Sequence, residues 1–148
     1  MMPDGRLHAM GLACFNESSG GGLHENARIR VAASGEITVS TGSSSMGQGV
    51  ETAICQICAD ALSLSPDRIT VSLSSTTLLS DGVGSFHSRS TVMAGSAVGK
   101  AAAALLEIAR GEAARRLNAA PDALEYSDGV FSNPEHPGRS IRLSEISA

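Results

Sequence analysis

Twice along the chain, a strand-like segment runs into a loop rich in glycine and serine, and a helix-like segment follows at once. The first copy leads from Glu36–Thr41 through GSSSMGQG at positions 42–49. The second leads from Arg68–Leu73 to DGVGSFHSRS at positions 81–90. Helix starts carry unpaired backbone N–H groups and the positive end of the helix dipole. Both loops are therefore candidate sites for an anionic or polar ligand group, whose close approach the glycines would permit.

Hydrophobic periodicity predicts two main helices after these loops. The apolar residues that recur at the spacing of one helix face are Val50, Ala53, Ile54, Ile57, Cys58, Ala61 and Leu62. The segment Ser90–Leu117 is rich in alanine and glycine, so it predicts a long helix packed closely against a sheet. Lys100 and Glu107 interrupt its apolar part, residues 91–109, and we therefore do not expect a membrane span.

Alternating segments predict the strands. Asn26–Ala32 and Glu36–Thr41 flank a Ser-Gly turn and are typical of a β-hairpin. Leu7–Phe15 predicts a further strand, a second hairpin is expected around Asp128-Gly129, and Ser140–Leu143 predicts a last strand. With 42% hydrophobic and 18% charged residues, the 148-residue chain is expected to form one packed domain. The predicted fold class is α+β, a mixed β-sheet with two main helices, one of them long and rich in alanine and glycine.

Charge and cysteine content argue against several functions. A net charge of −4 gives no electrostatic reason to expect a nucleic-acid binder. Three cysteines make a poor disulfide framework, which favours a reducing, cytoplasmic compartment. Cys55 and Cys58 form a C-x-x-C, but Cys58 lies on the apolar helix face and the chain shows no second pair of ligands. We therefore expect core cysteines rather than a metal site.

The side chains of the two loops suggest the kind of ligand. Gln48 carries both donors and an acceptor, which suits the edge of a heterocycle. Ser88, Ser90 and Thr91 offer hydroxyls, and Arg89 offers a fork of donors for phosphate oxygens. One phosphate-bearing heterocyclic cofactor between the two helix starts would use all of them. Serine and glycine are also ordinary capping and turn residues, so a purely structural role stays open.

Two phosphate-binding motifs fit poorly. The chain contains no G-x-x-x-x-G-K-[ST], which excludes a P-loop NTPase. GQGVET begins like the dinucleotide fingerprint G-x-G-x-x-G, but Thr52 stands where the third glycine belongs. The next strand also ends, at residues 72–75, without the acidic residue that binds ribose. A nucleotide-binding domain stays open as a weaker alternative.

The run from Gly35 to Glu107 resembles the molybdenum-cofactor-binding region of the xanthine dehydrogenase and aldehyde oxidase family of molybdenum hydroxylases. The motifs TGSSSMGQGVET, QICADAL and GSFHSRSTVMAGSA carry the resemblance, in the family's order and spacing. The likeness extends more loosely from GLACFNESSGGG to YSDGVF, while Ser75-Thr76 departs from the family's Asp-Thr. The resemblance implies that residues 1–148 are a single domain within a larger subunit, with residues 35–107 as the best-matching core.

The resemblance also implies roles for individual residues. The first contact loop, which lies against molybdopterin with the glutamine amide close to the metal end, consists of Met46, Gly47 and Gln48. The second, whose backbone N–H groups and hydroxyls hold the pyranopterin and its phosphate, consists of His87, Ser88, Arg89 and Ser90. The family's catalytic glutamate lies in a Gly-Glu segment well downstream of this region. We therefore expect neither a catalytic residue nor a protein metal ligand in this chain.

The parent protein, as the resemblance implies, is an oxidoreductase that oxidises an aldehyde or an N-heterocycle with water as the oxygen source. Its electrons would pass to iron–sulfur clusters and FAD on partner domains or subunits. The chain itself would position the cofactor, be inactive alone, and bind neither nucleic acid nor a membrane. A non-catalytic assembly module on the same scaffold stays open as an alternative, and the substrate and oligomeric state are not indicated.

Overall fold

Two three-stranded sheets and two main helices form the computed structural model, which describes residues 3–18, 20–22 and 24–146. The first sheet contains β1 (Ala27–Val31), β2 (Ile37–Thr41) and β3 (Ile69–Leu73). The second contains β4 (Glu125–Ser127), β5 (Val130–Ser132) and β6 (Ser140–Arg142). The helices are α1 (Val50–Ala61), α2 (Gly95–Leu117) and the single turn α3 (Leu143–Ile146). The predicted α+β class, with one long helix rich in alanine and glycine, is confirmed.

The first sheet is mixed, as the sequence predicts. β1 and β2 form the expected antiparallel hairpin, with Ile29 opposite Val39. β2 and β3 run parallel, with Val39 opposite Val71, and α1 lies in the crossover that neighbouring parallel strands require. Both strands therefore end at the same edge of the sheet, where Thr41 pairs with Leu73. The first loop singled out in the sequence begins at this edge, and residues 74–80 lead from the same edge to the second.

Both main helices pack on the first sheet and on each other. The fully buried residues of this core include Val39, Ile54, Cys58, Val98 and Ala102. Cys58 thus lies in the core, as predicted, and burial raises the pKa of its thiol to about 11. The helices approach closely because α2 begins with small residues: a Cβ added to Gly95 would lie 2.8 Å from the Cδ1 atom of Ile57.

A π-helical turn, Ser90–Ala94, leads into α2. The continuous helix Ser90–Leu117 is long and apolar enough to cross a membrane, judged by length and composition alone. A core helix of a globular protein meets the same criteria, and α2 contacts both α1 and β1. The expectation of no membrane partner stays a prediction.

The second sheet lies beside the end of α1. β4 and β5 form the hairpin predicted around Asp128-Gly129, and β6 pairs with β5. Phe131 is fully buried, with its ring centroid 4.6 Å from that of Tyr126 and the Arg110 guanidinium over its face at 5.5 Å. The Tyr126 hydroxyl donates a hydrogen bond to the Leu62 carbonyl oxygen at 3.0 Å. This sheet is therefore fastened to the core by aromatic packing and by a hydrogen bond to the residue after α1.

The predicted strand at Leu7–Phe15 is wrong. No strand forms in the described residues 3–18, and the side chains Leu7, Met10, Leu12 and Phe15 are 80% to 100% exposed. A strand needs a neighbour for its backbone N–H and C=O groups. Within the part of the chain that the structure describes, β1 pairs with β2 alone. The apolar pattern of the segment could not reveal that no partner strand lies beside it.

Candidate cofactor-binding site

The two loops form the walls of one cleft with a volume of about 320 Å³. We call residues 42–49 the first loop and residues 81–90 the second loop. The residues that line the cleft are Met46, Gln48, Phe86, His87, Ser88, Arg89, Ser90 and Thr91. Gly47 lies between two of them, has a φ of +86°, and has no atom within 4 Å of an added Cβ. The structure therefore brings together the loop residues that the sequence analysis selected.

A direct backbone contact holds the two loops together at the edge of the sheet. A Cβ added to Gly42 would lie 2.5 Å from the Cα atom of Gly82, and one added to Gly82 would lie 2.6 Å from the Cα atom of Gly42. Both distances are far below van der Waals contact, so only glycine fits at either position. Neither glycine was predicted to have this role, because their contact joins segments that are distant in sequence.

The hydroxyl of Ser85 links the first loop to the start of the second helical segment. It donates to the carbonyl oxygen of Ser44 and accepts from the Ser44 N–H, each at 2.8 Å. The Ser90 hydroxyl donates to the same Ser85 oxygen at 2.8 Å. Sequence reasoning missed Ser85, whose only signal was its place in the second loop. Its two hydrogen bonds to Ser44 fix the separation of the two loops, and the third ties it to Ser90 within the second loop.

The Gln48 amide stabilises its own loop. Its Oε1 atom accepts from the Met46 N–H at 2.6 Å, and its Nε2 atom donates to the Ser44 carbonyl oxygen at 3.0 Å. An amide has two N–H donors and two oxygen lone pairs, so one of each is left over. The side chain is exposed on the cleft. Gln48 can therefore hold the loop and contact a ligand at the same time.

The positive end of the α1 helix dipole is balanced by an acidic side chain of the same helix. Its N-cap, Gly49, has a φ of +75° and forms no side-chain cap. Glu51 lies in the first turn, where the helix dipole favours negative charge. A hydrogen bond from Ser45 lowers the pKa of the Glu51 carboxyl, which favours its charged form further. An anionic ligand group at this helix start would have to share the dipole with Glu51.

The second loop contains two consecutive non-glycine residues with left-handed backbone. His87 has a φ of +48° and Ser88 a φ of +49°. This conformation costs about 1–2 kcal/mol per residue, because the Cβ atom comes too close to the following carbonyl oxygen. Such strain persists only where the surrounding structure holds it, and it concentrates at ligand sites. The turn is closed by a hydrogen bond from the Arg89 N–H to the Phe86 carbonyl oxygen at 3.1 Å.

The Arg89 guanidinium is bonded mainly to the protein itself, whereas the sequence suggested a fork of donors available to phosphate. Its side chain is fully buried and forms an ion pair with the equally buried Glu25 at 3.2 Å. The guanidinium also donates to the carbonyl oxygens of Gly21 at 2.6 Å, of Gly84 at 3.0 Å, and of His24. Its donors are thus used mainly by the protein. Direct contact between Arg89 and a cofactor stays a prediction.

A neighbouring cleft of about 300 Å³ lies where β2 and β3 end. Its polar side chains are hydroxyls, those of Ser44, Ser74, Ser75, Thr76 and Ser80. The hydroxyls of Ser44 and Ser74 share a hydrogen bond at 2.7 Å, across 30 positions of sequence. Ser75-Thr76, which departs from the family's Asp-Thr, is part of the lining. The cleft was not predicted, because separate segments of the chain build it.

Cysteine and histidine form no metal cluster in the part of the chain that the structure describes. No group of three or more His, Cys, Asp or Glu side chains there is placed to hold a metal ion. Burial, and then the charge of Asp67, raises the pKa of Cys55, whose thiol donates to the Pro66 carbonyl oxygen at 3.4 Å. Neither cysteine of the C-x-x-C therefore has the lowered pKa of a reactive or metal-binding thiol.

Comparison with known proteins identifies the family. Residues 2–148 match the family model described as the molybdopterin cofactor-binding domain. The chain belongs to this family. Molybdopterin, the cofactor implied by the resemblance, is the cofactor that this domain binds.

Relatives of this molybdopterin-binding chain are much longer proteins. It is 45% identical over 145 residues to the 6-hydroxypseudooxynicotine dehydrogenase complex subunit gamma of Paenarthrobacter nicotinovorans, covering 98% of this chain and 18% of that protein. It is 31% identical over 151 residues to the carbon monoxide dehydrogenase large chain of Afipia carboxidovorans, covering 95% and 19%. A crystal structure of Cu,Mo-CO dehydrogenase superposes with a TM-score of 0.75 at 28% identity, covering 88% and 18%. The chain spans about a fifth of the length of the curated relatives it matches.

The chemistry of the cleft fits this cofactor. A pterin ring presents alternating donors and acceptors, and the lining supplies neutral donors and acceptors in Gln48, Ser88 and Thr91. The open backbone at Gly47 permits close approach of a flat ring. A phosphate would meet hydroxyls and N–H groups, because the charge of Arg89 is already balanced by Glu25.

Proposed function

We propose that this chain is the molybdopterin-holding part of a molybdenum hydroxylase of the xanthine dehydrogenase and aldehyde oxidase type. The observation that carries the proposal is the cleft between the first and second loops, whose walls are joined through Ser85. When bound, the cofactor supplies the redox chemistry through its molybdenum, with water as the oxygen source and an aldehyde or N-heterocycle as the substrate. The chain's own residues bind and orient it.

Each wall of the cleft has its own part in this proposal. Met46 and Gly47 offer a side chain and an open backbone to the pterin, and Gln48 offers its remaining N–H and lone pair near the metal end. On the second loop, His87, Ser88 and Ser90 bind pyranopterin and phosphate through backbone N–H groups and the Ser88 hydroxyl. The Ser90 hydroxyl donates to Ser85 and has only acceptor capacity left for the ligand. Arg89 supports these groups from inside the loop rather than presenting its charge to the ligand.

The proposal extends to the larger subunit that contains this domain and to its partner subunits. Residues 1–148 are a single domain of a larger cytoplasmic subunit, with residues 35–107 as the core that best matches the family. The relatives named as a complex subunit gamma and a large chain support the presence of partner subunits. Iron–sulfur clusters and FAD on those partners would accept the electrons. The domain positions the cofactor and does not turn over alone.

The test is Gln48→Ala in the full-length protein, compared with Gln56→Ala as the matched control. Gln56 is an exposed glutamine of α1 outside the cleft. Gln48→Ala removes two hydrogen bonds within the loop, each contributing about 0.5–1.5 kcal/mol, so we expect cofactor content to fall about tenfold. Molybdenum analysis and pterin fluorescence report that content without requiring turnover.

Three outcomes distinguish the proposed cofactor-binding role from its alternatives. Loss of molybdenum and pterin in Gln48→Ala, with normal content in Gln56→Ala, supports the proposal. Equal content and activity in both variants removes the role assigned to Gln48. A purified wild-type protein without molybdenum or pterin would instead favour a non-catalytic assembly module on the same scaffold.

A further inference from the structure

The ion pair between Glu25 and Arg89 is the most deeply buried charged feature of the described residues. The two side chains are 1% and 0% exposed, and the carboxylate Oε2 lies 3.2 Å from the guanidinium Nη1. Burying opposite charges is tolerated only when good geometry and further hydrogen bonds replace the lost water. Glu25 and Arg89 are 64 positions apart in sequence, and their ion pair lies directly behind a ligand cleft. A role in that cleft would explain why the protein tolerates the desolvation cost of the pair.

The Glu25 side chain holds the first residues of the second loop by bonding to the backbone of that loop. Its carboxylate accepts from the N–H groups of Val83 and Gly84, each at 3.3 Å. It also accepts from the Asn26 N–H at 3.0 Å, which fixes the carboxylate to the segment leading into β1. An added Cβ on Gly42 would lie 2.8 Å from its Oε1 atom, so the carboxylate lies beside the crossing of the two loops.

Arg89 holds the end of the same loop. Its guanidinium spans from the carbonyl oxygen of Gly84 to those of Gly21 and His24. The ring of Phe86 lies against the guanidinium, at 5.1 Å from the ring centroid to Cζ. The loop is consequently fixed on both sides of the two left-handed residues at positions 87 and 88. Both residues line the cleft.

We propose that Glu25 is a positioning residue of the cofactor site: through Arg89 and the N–H groups of residues 83 and 84, it holds His87 and Ser88 in the strained geometry that binds the cofactor. This inference rests on the proposed function. Glu25 touches no cleft surface itself, and it acts only through the loop. Without it, Arg89 becomes an unpaired buried charge, and the loop loses the restraint that offsets its backbone strain.

The test compares Glu25→Gln and Glu25→Asp with two controls in the full-length protein. Glutamine keeps the size but removes the charge, and its NH2 group places donors against the donors at one carboxylate position, either Val83 and Asn26 or Gly84 and Arg89. Aspartate keeps the charge on a shorter side chain. Glu112→Gln breaks an exposed ion pair with Arg115 on the same helix that follows the loop. Val98→Ala lowers stability from a fully buried position of α2, outside both loops in sequence.

The measured quantity is molybdenum and pterin per folded molecule, with the folded fraction taken from circular dichroism and the urea midpoint. We expect about a tenfold loss in Glu25→Gln, because the competent loop conformation becomes a minor state, and a smaller loss in Glu25→Asp. Glu112→Gln should keep wild-type content. Val98→Ala should keep wild-type content per folded molecule even though its urea midpoint falls.

The result that would overturn the inference is a Glu25 variant that is less stable than wild type yet holds a full cofactor complement in its folded fraction. If Glu25→Gln does not fold, Glu25→Asp decides by the same criterion. Equal losses in Val98→Ala and Glu25→Gln at equal stability would also overturn it, because a purely structural role predicts that. A wild-type protein without cofactor would overturn the proposed function and this inference together.

Discussion

Replacing Gly42 by alanine should be the most damaging single-methyl change near the cleft. The new Cβ would lie 2.5 Å from the Cα of Gly82, 2.8 Å from its carbonyl carbon and 2.8 Å from the Glu25 Oε1 atom. Two of these three neighbours are backbone atoms, which cannot rotate away. The remaining one belongs to a buried carboxylate that is fixed by an ion pair with Arg89. The loops must therefore separate, or the ion pair must shift.

The magnitude follows from these contacts. Inserting one methyl group into a close-packed site costs about 1–3 kcal/mol. Shifting Glu25 away from Arg89 adds part of the larger cost of breaking a buried pair, so we expect a total loss of about 3 kcal/mol or more for Gly42→Ala. With a urea m-value of about 2 kcal/mol per molar, the unfolding midpoint should fall by about 1.5 M.

Gly99→Ala is the matched control for this prediction. Gly99 lies inside α2, and an added Cβ there meets no atom within 4 Å. Alanine is favoured over glycine in a helix interior by roughly 0.5–1 kcal/mol, so this variant should unfold at higher urea. Urea unfolding followed by circular dichroism measures both variants. A Gly42→Ala midpoint equal to wild type would show that the two loops are not in contact as described.

Two further predictions concern titratable groups. Hydrogen bonds from Arg115 and Arg116 lower the pKa of Glu112 from 4.5 to about 2; its stabilising effect is present above pH 4.5 and is lost as the pH falls towards 2. Glu112→Gln should therefore flatten the acid side of the stability–pH curve, and high salt should make the difference from wild type smaller. A stability–pH curve unchanged by the substitution would contradict this. At pH 8, a maleimide should label exposed Cys14 first, while Cys58, with a pKa of about 11, should react only in denaturant. Mass spectrometry of native and unfolded samples, with Cys14→Ser as control, checks this, and native labelling of Cys58 would refute it.

The elements could be predicted from sequence where apolar spacing within one segment determines the structure. The stripe that begins at Val50 predicts α1, which begins at that residue. Alternation in Arg68–Leu73 predicts β3, which covers Ile69–Leu73. The same reasoning failed at Leu7–Phe15, because a strand also depends on a neighbour that a local pattern does not contain. Local patterns predict what a segment favours, and pairing decides whether it forms.

For the candidate site too, some residues could be predicted from sequence and others could not. The loop motifs predicted a meeting of Gln48 with the residues around Ser88, and these line one cleft. Glu25 could not be identified from sequence, because nothing in HEN at positions 24–26 shows that its carboxylate reaches Arg89. For the same reason Arg89 looked like a free donor fork. A side chain's partners depend on distances across the fold, which residue type alone does not specify.

The hydrogen bonds of Ser85 to both walls of the cleft have a consequence for affinity. Ordering a flexible loop costs about 1–2 kcal/mol per residue in backbone entropy, and that cost is subtracted from the affinity of any ligand that must order the loop. Here Ser44 and Ser90 are joined by the chain's own atoms. The walls are preorganised, so little binding free energy is spent on ordering them. More of the binding free energy is therefore left for affinity, which suits a domain that binds a cofactor.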